Sequence, residues 1–246
     1  MTTLLDIVFP KSCVICSRHG EYLCDRCKLL FKKTLPECYL CRRISAGYCT
    51  HSQCMKENSL DSVIVLWEYD KLSSGLLKKY KYGLATDIEK TLEALILSRI
   101  RDTYYIPDRK KVLCIPVPVS NSRLRERGFN QTEDIAMRIS DYMNINFAKG
   151  IVYRKDGSDV HQSLLDRDKR LHNKIDFYIN NYELLEKVEE VVIVDDVITT
   201  GSTLEQVTKV IKSFRKEIKV QGICLFRGRP YYKKGEVLSS PENRSV

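Results

Sequence analysis

Nowhere in the 246 residues does an uncharged apolar run approach the roughly 18–20 residues that cross a bilayer, so no transmembrane segment is expected. The opening MTTLLDIVFPK has neither a basic n-region nor a long apolar stretch, which argues against a secretory leader. Such a chain is expected to be cytoplasmic, where thiols stay reduced. Glycine and proline are sparse, at 11 and 7 residues, which excludes collagen-like and low-complexity classes. What remains is 43% hydrophobic and 30% charged, the composition of one ordinary globular domain with a small extra module.

Two things are in excess. The formal net charge is +9, and ten residues are cysteine, eight of them between Cys13 and Cys54. The other two, Cys114 and Cys224, stand alone in apolar runs. The eight run Cys13-x2-Cys16-x7-Cys24-x2-Cys27, then Cys38-x2-Cys41-x7-Cys49-x4-Cys54, an internal repeat with the same gap between knuckles in each half. A Cys-x2-Cys knuckle brings two thiolates to one metal from a tight turn, and two knuckles complete the all-thiolate shell that zinc accepts. The repeat predicts two structural Zn2+ sites, Cys13/Cys16/Cys24/Cys27 and Cys38/Cys41/Cys49/Cys54. Spacing alone leaves a cross-braced pairing open, and His51 could replace Cys49 or Cys54. A disulfide framework would need an oxidising compartment. A segment of about 45 residues is too short to hold a core unaided. Metal binding worth roughly 10–16 kcal/mol per site would supply its folding energy.

Beyond Cys54, apolar runs alternate with amphipathic stretches. Residues 62–69, 111–119, 150–154, 177–180, 190–196 and 220–226 read as strands; 72–82, 86–100, 130–143 and 202–214 read as helices. The helix at 130–143 opens on an Asn130-x-x-Glu133 capping signature and should bury Ile135, Ile139 and Tyr142. That at 202–214 should bury Leu204, Val207, Val210, Ile211 and Phe214. Strands alternating with helices predict an α/β fold, a parallel sheet that binds ligands at the carboxyl ends of its strands.

One such end reads VVIVDDVITTGSTL, residues 191–204. Four apolar residues bury the strand, Asp195 and Asp196 emerge at its mouth, and Thr199, Thr200, Gly201, Ser202 and Thr203 form a hydroxyl-rich turn into a helix. Backbone N–H groups of such a turn and helix start make an anion hole, while the carboxylates suit sugar hydroxyls. A ribose 5-phosphate has both parts. A plain helix carrying a Ser202-x-x-Glu205 capping box is the blander alternative. The segment resembles the phosphoribosyl-pyrophosphate (PRPP) motif of type I phosphoribosyltransferases.

Other segments extend the likeness: Arg123-Leu-Arg125-Glu-Arg127-Gly-Phe-Asn-Gln131, Gln162-x2-Leu165-x4-Arg170-x2-Asn173 and Lys81-Tyr82. With the N-terminal cysteine repeat they resemble the ComF/ComFC family of competence proteins over nearly the whole chain. The resemblance implies a double zinc-ribbon module over 1–58, a phosphoribosyltransferase-like domain over 59–232 and a polar tail, expected to be disordered, over 233–246. It implies PRPP held by the 195–203 loop, with the loop beginning near Val117 and Pro118 taking pyrophosphate. Magnesium would bridge pyrophosphate and ribose hydroxyls, since it prefers few carboxylates plus substrate oxygens. Asp195, Asp196, Arg125 and Arg170 become the candidate catalytic residues, with Arg123 and Arg127 as further cations for pyrophosphate.

Two functions then compete. The family resemblance implies handling of incoming single-stranded DNA in natural transformation, with a helicase or recombination protein as a possible partner. Arg42, Arg43, Arg123, Arg125 and Arg127 would be the nucleic-acid candidates, and Tyr22, Tyr39 and Tyr48 could stack bases. Residues 1–60 and 111–175 each carry +4, so they would have to share a face to form a phosphate track. The alternative is an active phosphoribosyltransferase on an acceptor that no segment of the sequence identifies.

Overall fold

Apolar residues on both sides of every central strand call for a sheet covered on two faces, and that is the architecture found. The computed structural model describes residues 11–82, 87–100, 109–155 and 177–228. Its main sheet contains β1 (Ser62–Glu68), β2 (Val112–Pro116), β3 (Asn146–Phe147), β6 (Glu190–Ile198) and β7 (Lys219–Arg227), in the order β1-β7-β6-β2-β3. Every neighbouring pair is parallel. Two short strands, β4 (Val152–Arg154) and β5 (Phe177–Ile179), form a separate antiparallel pair.

Alternate residues of each strand feed different cores. Ile64, Leu66, Val192, Val194, Ile223 and Leu225 pack with helices α2 (Lys71–Tyr82), α3 (Asp87–Ile100) and α5 (Gln131–Met143). Val63, Val65, Val191, Ile193 and Cys224 pack on the other face with α7 (Ser202–Phe214). The adjacent strands β2 and β6 therefore lead to helices on opposite faces, and the loops leaving them diverge. That divergence opens a crevice at the carboxyl ends of the strands, where ligands of such sheets bind.

The helix faces follow the sequence pattern with two exceptions. Tyr142 is exposed and Met143 is buried in its place, just before Asn144 ends α5 in a left-handed conformation. Phe214, at the end of α7, is also largely exposed and packs on Tyr182, 5.4 Å between ring centroids. Asn130 caps α5 as expected, accepting from the Thr132 N–H at 3.1 Å, but Glu133 pairs with Lys149 at 2.8 Å and closes no capping box. The short helices α4 (Asn121–Arg127) and α6 (Glu183–Glu186) and strand β3 have no periodic signature long enough to be read beforehand.

The cysteine module, including its one-turn helix α1 (Asp25–Lys28), lies along the free edge of β1. Thr50 N–H donates to Asp61 O at 2.8 Å, Glu68 N–H to Lys32 O at 2.8 Å and Thr34 N–H to Leu66 O at 3.4 Å. The module thus pairs groups that an edge strand would leave open. Phe31 packs edge-on against Trp67, 6.0 Å between centroids, and joins the core of α2 and α3. Tyr39 and Tyr48 are buried in these same cores, and Lys79 covers the partly buried Tyr22 at 5.0 Å. These tyrosines are packing residues and offer no stack of exposed rings to bases.

Candidate functional site

The cysteine repeat is a repeat of backbone as well as of sequence. Ser12 bridges His19 in the first half and Glu37 bridges Ile44 in the second. Ser17 and Arg42, each following the second cysteine of its knuckle, both adopt left-handed backbone, with φ of 60° and 61°. Ser17 N–H donates to Cys13 O and Arg42 N–H to Cys38 O, each at 2.9 Å. This turn points both sulfurs of a knuckle to one side.

Cys13, Cys16, Cys24 and Cys27 bring their sulfurs within 4.8 Å of one another, and Cys16 Sγ lies 3.7 Å from Cys24 Sγ. A zinc tetrahedron with Zn–S near 2.3 Å has an edge of about 3.8 Å, so the four residues fit the metal. The pairing is sequential. Burial drives the Cys27 thiol up to about 12, with the neighbouring sulfurs adding to it. Burial would also raise Cys13, but backbone N–H donors from Cys24, Cys16 and Ile15 outweigh it and bring the thiol down to about 6. Four sulfurs held this close resist joint ionisation unless a dication joins them.

The second centre differs from the expected set. Cys38, Cys41, His51 and Cys54 converge, and Cys49 does not. The physical reason lies in the spacing. Cys49-x4-Cys54 is wider than the other three knuckles, whereas His51-x2-Cys54 restores their spacing across a single 3₁₀ turn, Ser52–Cys54. His51 Nδ1 lies 3.2 Å from Cys41 Sγ, and His51 Nε2 is 3.2 Å from Ile44 O. Donation from Nε2 to that carbonyl would leave Nδ1 unprotonated for a metal. Cys49 is exposed, and its backbone bridges Ser62 at the sheet edge.

At the crevice, Asp195 and Asp196 stand near the end of β6, side by side with the end of β2. Asp196 is buried; Lys81, in the last turn of α2, forms an ion pair with its Oδ2, and Gln131 Nε2 donates to the same oxygen at 3.4 Å. Arg127 in turn donates to Gln131 Oε1 at 2.9 Å and to the Tyr82 hydroxyl at 3.1 Å. Asp195 is half-buried and accepts from the Asp196 N–H at 2.8 Å. Burial, with the Asp196 charge beside it, pushes Asp195 up to about 8, against the pull of Lys81 and Arg123. No sequence spacing connects Lys81 or Gln131 to this pair; only the fold does. Lys81→Met should destabilise the protein by about 2–3 kcal/mol by leaving a buried carboxylate without its cation, read as a lower urea midpoint at unchanged slope. An unmoved midpoint would mean that desolvation already cancels the pair.

The loop beyond carries the rest of the expected set. Thr199, Thr200 and Ser202 are exposed, Thr203 is half-buried, and Gly201 is buried with φ +88°. A Cβ on Gly201 would lie 2.7 Å from the Tyr39 ring, so glycine is required by both conformation and space. The N-cap residue Gly201 offers α7 no side-chain acceptor, and Ser202 N–H makes only a long 3.4 Å contact with the Thr200 hydroxyl, so the first turn can present N–H groups to an anion entering the loop. The Ser202–Glu205 capping box does not form; Glu205 instead accepts from the Tyr39 hydroxyl at 2.9 Å. Val117 and Pro118 follow β2 beside this loop, with Val117 N–H on Val194 O at 2.9 Å and Val117 O on the Thr132 hydroxyl at 2.6 Å. A cavity of about 310 Å³ lies between Lys56–Ser59 and the outer face of α7, and neither Asp195 nor Asp196 lines it.

The candidate arginines separate by environment. Arg123 and Arg125 project from α4 and are exposed. Arg127 is held by Gln131 and Tyr82. Arg42 donates to Thr199 O at 3.3 Å and Gly228 O at 3.2 Å, and Arg43 is exposed, its pKa raised by the Cys41 sulfur. Gln162, Arg170 and the 233–246 tail lie outside the described residues. Among the described residues no helix is long and apolar enough to cross a membrane.

Comparison with known proteins places these features in context. Residues 127–237 match the phosphoribosyl transferase domain family. The chain is 30% identical over 208 residues to competence protein F of Haemophilus influenzae, covering 82% of this chain and 90% of that protein. It is 27% identical over 195 residues to the DNA utilization protein YhgH of Escherichia coli K12, covering 77% and 82%. With competence protein ComFC of Bacillus subtilis it shares 24% identity over 218 residues, covering 84% and 85%.

Proposed function

We propose, from the premise that this chain belongs to the ComF/ComFC family of competence proteins, that it binds PRPP in the crevice between β2 and β6 and handles incoming single-stranded DNA during natural transformation. The observation that carries the PRPP reading is the uncapped start of α7 beside the Asp195–Asp196 pair. The N–H groups of the loop and the hydroxyls of Thr199, Thr200, Ser202 and Thr203 receive the 5-phosphate. Asp195 and Asp196 accept hydrogen bonds from the ribose hydroxyls, with Lys81 holding Asp196 in place. The backbone after β2, at Val117 and Pro118, faces the pyrophosphate, with Arg123, Arg125 and Arg170 as its cations. Magnesium, bound mostly through substrate oxygens, would neutralise charge on the pyrophosphate. As the bond to the anomeric carbon breaks, the protein's contribution is positioning and charge stabilisation.

The same exposed Arg123 and Arg125 supply the DNA reading, because a strand backbone and a pyrophosphate present the same phosphate chemistry. PRPP binding is therefore measured by calorimetry with and without single-stranded DNA, since coupling between the two is reciprocal. We expect PRPP to weaken DNA binding, and DNA affinity to fall steeply with salt. Independent affinities would assign the two ligands to separate sites; DNA binding insensitive to salt would sink the nucleic-acid reading. Release of pyrophosphate from PRPP with acceptor mixtures would favour the active transferase instead.

A further inference from the structure

We propose that the second metal centre is a clamp on the phosphate loop: Tyr39 and Arg42, carried on the Cys38–Cys41 knuckle, hold residues 199–202 in their binding shape. Metal occupancy at Cys38, Cys41, His51 and Cys54 is then linked to ribose-phosphate affinity. The ligand part of this inference rests on the reading of the loop given above.

Tyr39 lies between the two cysteines of the knuckle, and its buried ring presses on Gly201, the residue that turns the loop into α7. The hydroxyl donates to Glu205 in the first turn of α7 and accepts from Leu60 N–H at 3.3 Å, so loop, helix and strand entry share one anchor. Arg42, directly after the knuckle, needs its left-handed backbone to close the turn. From there its guanidinium bridges Thr199 O and Gly228 O, tying the loop after β6 to the end of β7. The knuckle is itself pinned from below. Arg227, 2% exposed, bonds Glu37 Oε1 at 2.8 Å through Nε and Tyr39 O at 3.2 Å through Nη2. The first centre makes no contact of this kind with the loop among the described residues. Losing the second metal releases the turn that aims Tyr39 and Arg42; by linkage, a ligand that orders the loop tightens the hold on that metal.

The decisive variants leave all metal ligands in place: Arg42→Ala, Arg42→Lys and Tyr39→Phe. Amide hydrogen exchange over 199–203 should quicken about tenfold in Arg42→Ala, with zinc content and thermal midpoint unchanged, and Arg42→Lys should recover part of the protection. Affinity for ribose 5-phosphate should fall about five- to tenfold, while affinity for magnesium pyrophosphate, which probes the loop after β2, stays constant. A merely structural role would lower both together. In the wild type, ribose 5-phosphate should raise the affinity for one of two zincs by a similar factor, read in equilibrium competition with a chelator. Unchanged exchange in both Arg42→Ala and Tyr39→Phe overturns the clamp. If the wild type binds neither ribose 5-phosphate nor PRPP, the ribose-phosphate reading falls instead, and loop exchange alone decides the clamp.

Discussion

Cys27→Ser is expected to release one zinc and lower the thermal midpoint by about 10–20 °C. The size follows from where the first centre sits. Cys13, Cys24 and Cys27 are buried in the same core as Phe31, Trp67, Leu76 and Tyr80, so opening this shell exposes the seam between the module and the sheet. Loss of a structural metal belongs to the largest class of single-residue effects, and about 4–5 kcal/mol moves the midpoint by that much in a domain of this size. The second centre gives a sharper comparison. His51→Ala should also release one zinc, whereas Cys49→Ser should keep both and shift the midpoint by no more than about 2 °C, as expected of an exposed side chain outside the shell. Zinc counted by chromophoric release during thermal melts reads all three variants. Loss of metal in Cys49→Ser would restore the all-cysteine shell and remove His51 from it.

The contrast between the two centres marks how far sequence reaches. The knuckles Cys13-x2-Cys16 and Cys24-x2-Cys27 were legible, because a knuckle is a local object whose chemistry depends on spacing; that the two share one metal rather than cross-brace with the second half is read from the fold. The repeat favours Cys49 for the second shell, with His51 able to replace it; the choice depends on which lies three residues before Cys54, at the head of the 3₁₀ turn, while Cys49 seams the sheet edge. The same division holds at the crevice. Asp195, Asp196 and the Thr199–Thr203 turn are contiguous and were legible as a candidate phosphate and sugar site. Lys81, Gln131 and Tyr39 complete that site from α2, α5 and the module, and long-range packing leaves no periodic trace. Arg42 and Arg127 show the converse. As sequence they are basic residues near a basic stretch; in the fold Arg42 Nη2 also reaches Thr199 O and Gly228 O, and Arg127 also reaches Gln131 and Tyr82.

Asp195→Asn should make the ligand-free protein more stable at neutral pH and nearly abolish its hold on PRPP. Folded Asp195 titrates near 8 against an ordinary 3.8, chiefly because it is buried beside Asp196. A carboxyl raised in the folded state keeps a proton that the unfolded chain has already released, so its contribution to stability declines as pH rises from about 4 to 8 and is flat beyond. Asparagine presents the same shape without the charge. The Asp195→Asn midpoint should therefore exceed the wild type's at pH 7.5 by about 2–8 °C, corresponding to ~1–2 kcal/mol for a half-buried carboxyl whose penalty solvent partly screens, and the two should converge near pH 4. Ligand affinity should move the other way. Measured above pH 8, where the folded carboxyl is ionised, losing a charged acceptor for ribose hydroxyls is worth about 1.5–3 kcal/mol, or roughly 10–100-fold in affinity for PRPP. A loss of stability with unchanged affinity would make Asp195 a structural carboxylate and move the sugar site elsewhere. Gain of one with loss of the other identifies a charge whose folding penalty is tolerated for the sake of the ligand it meets.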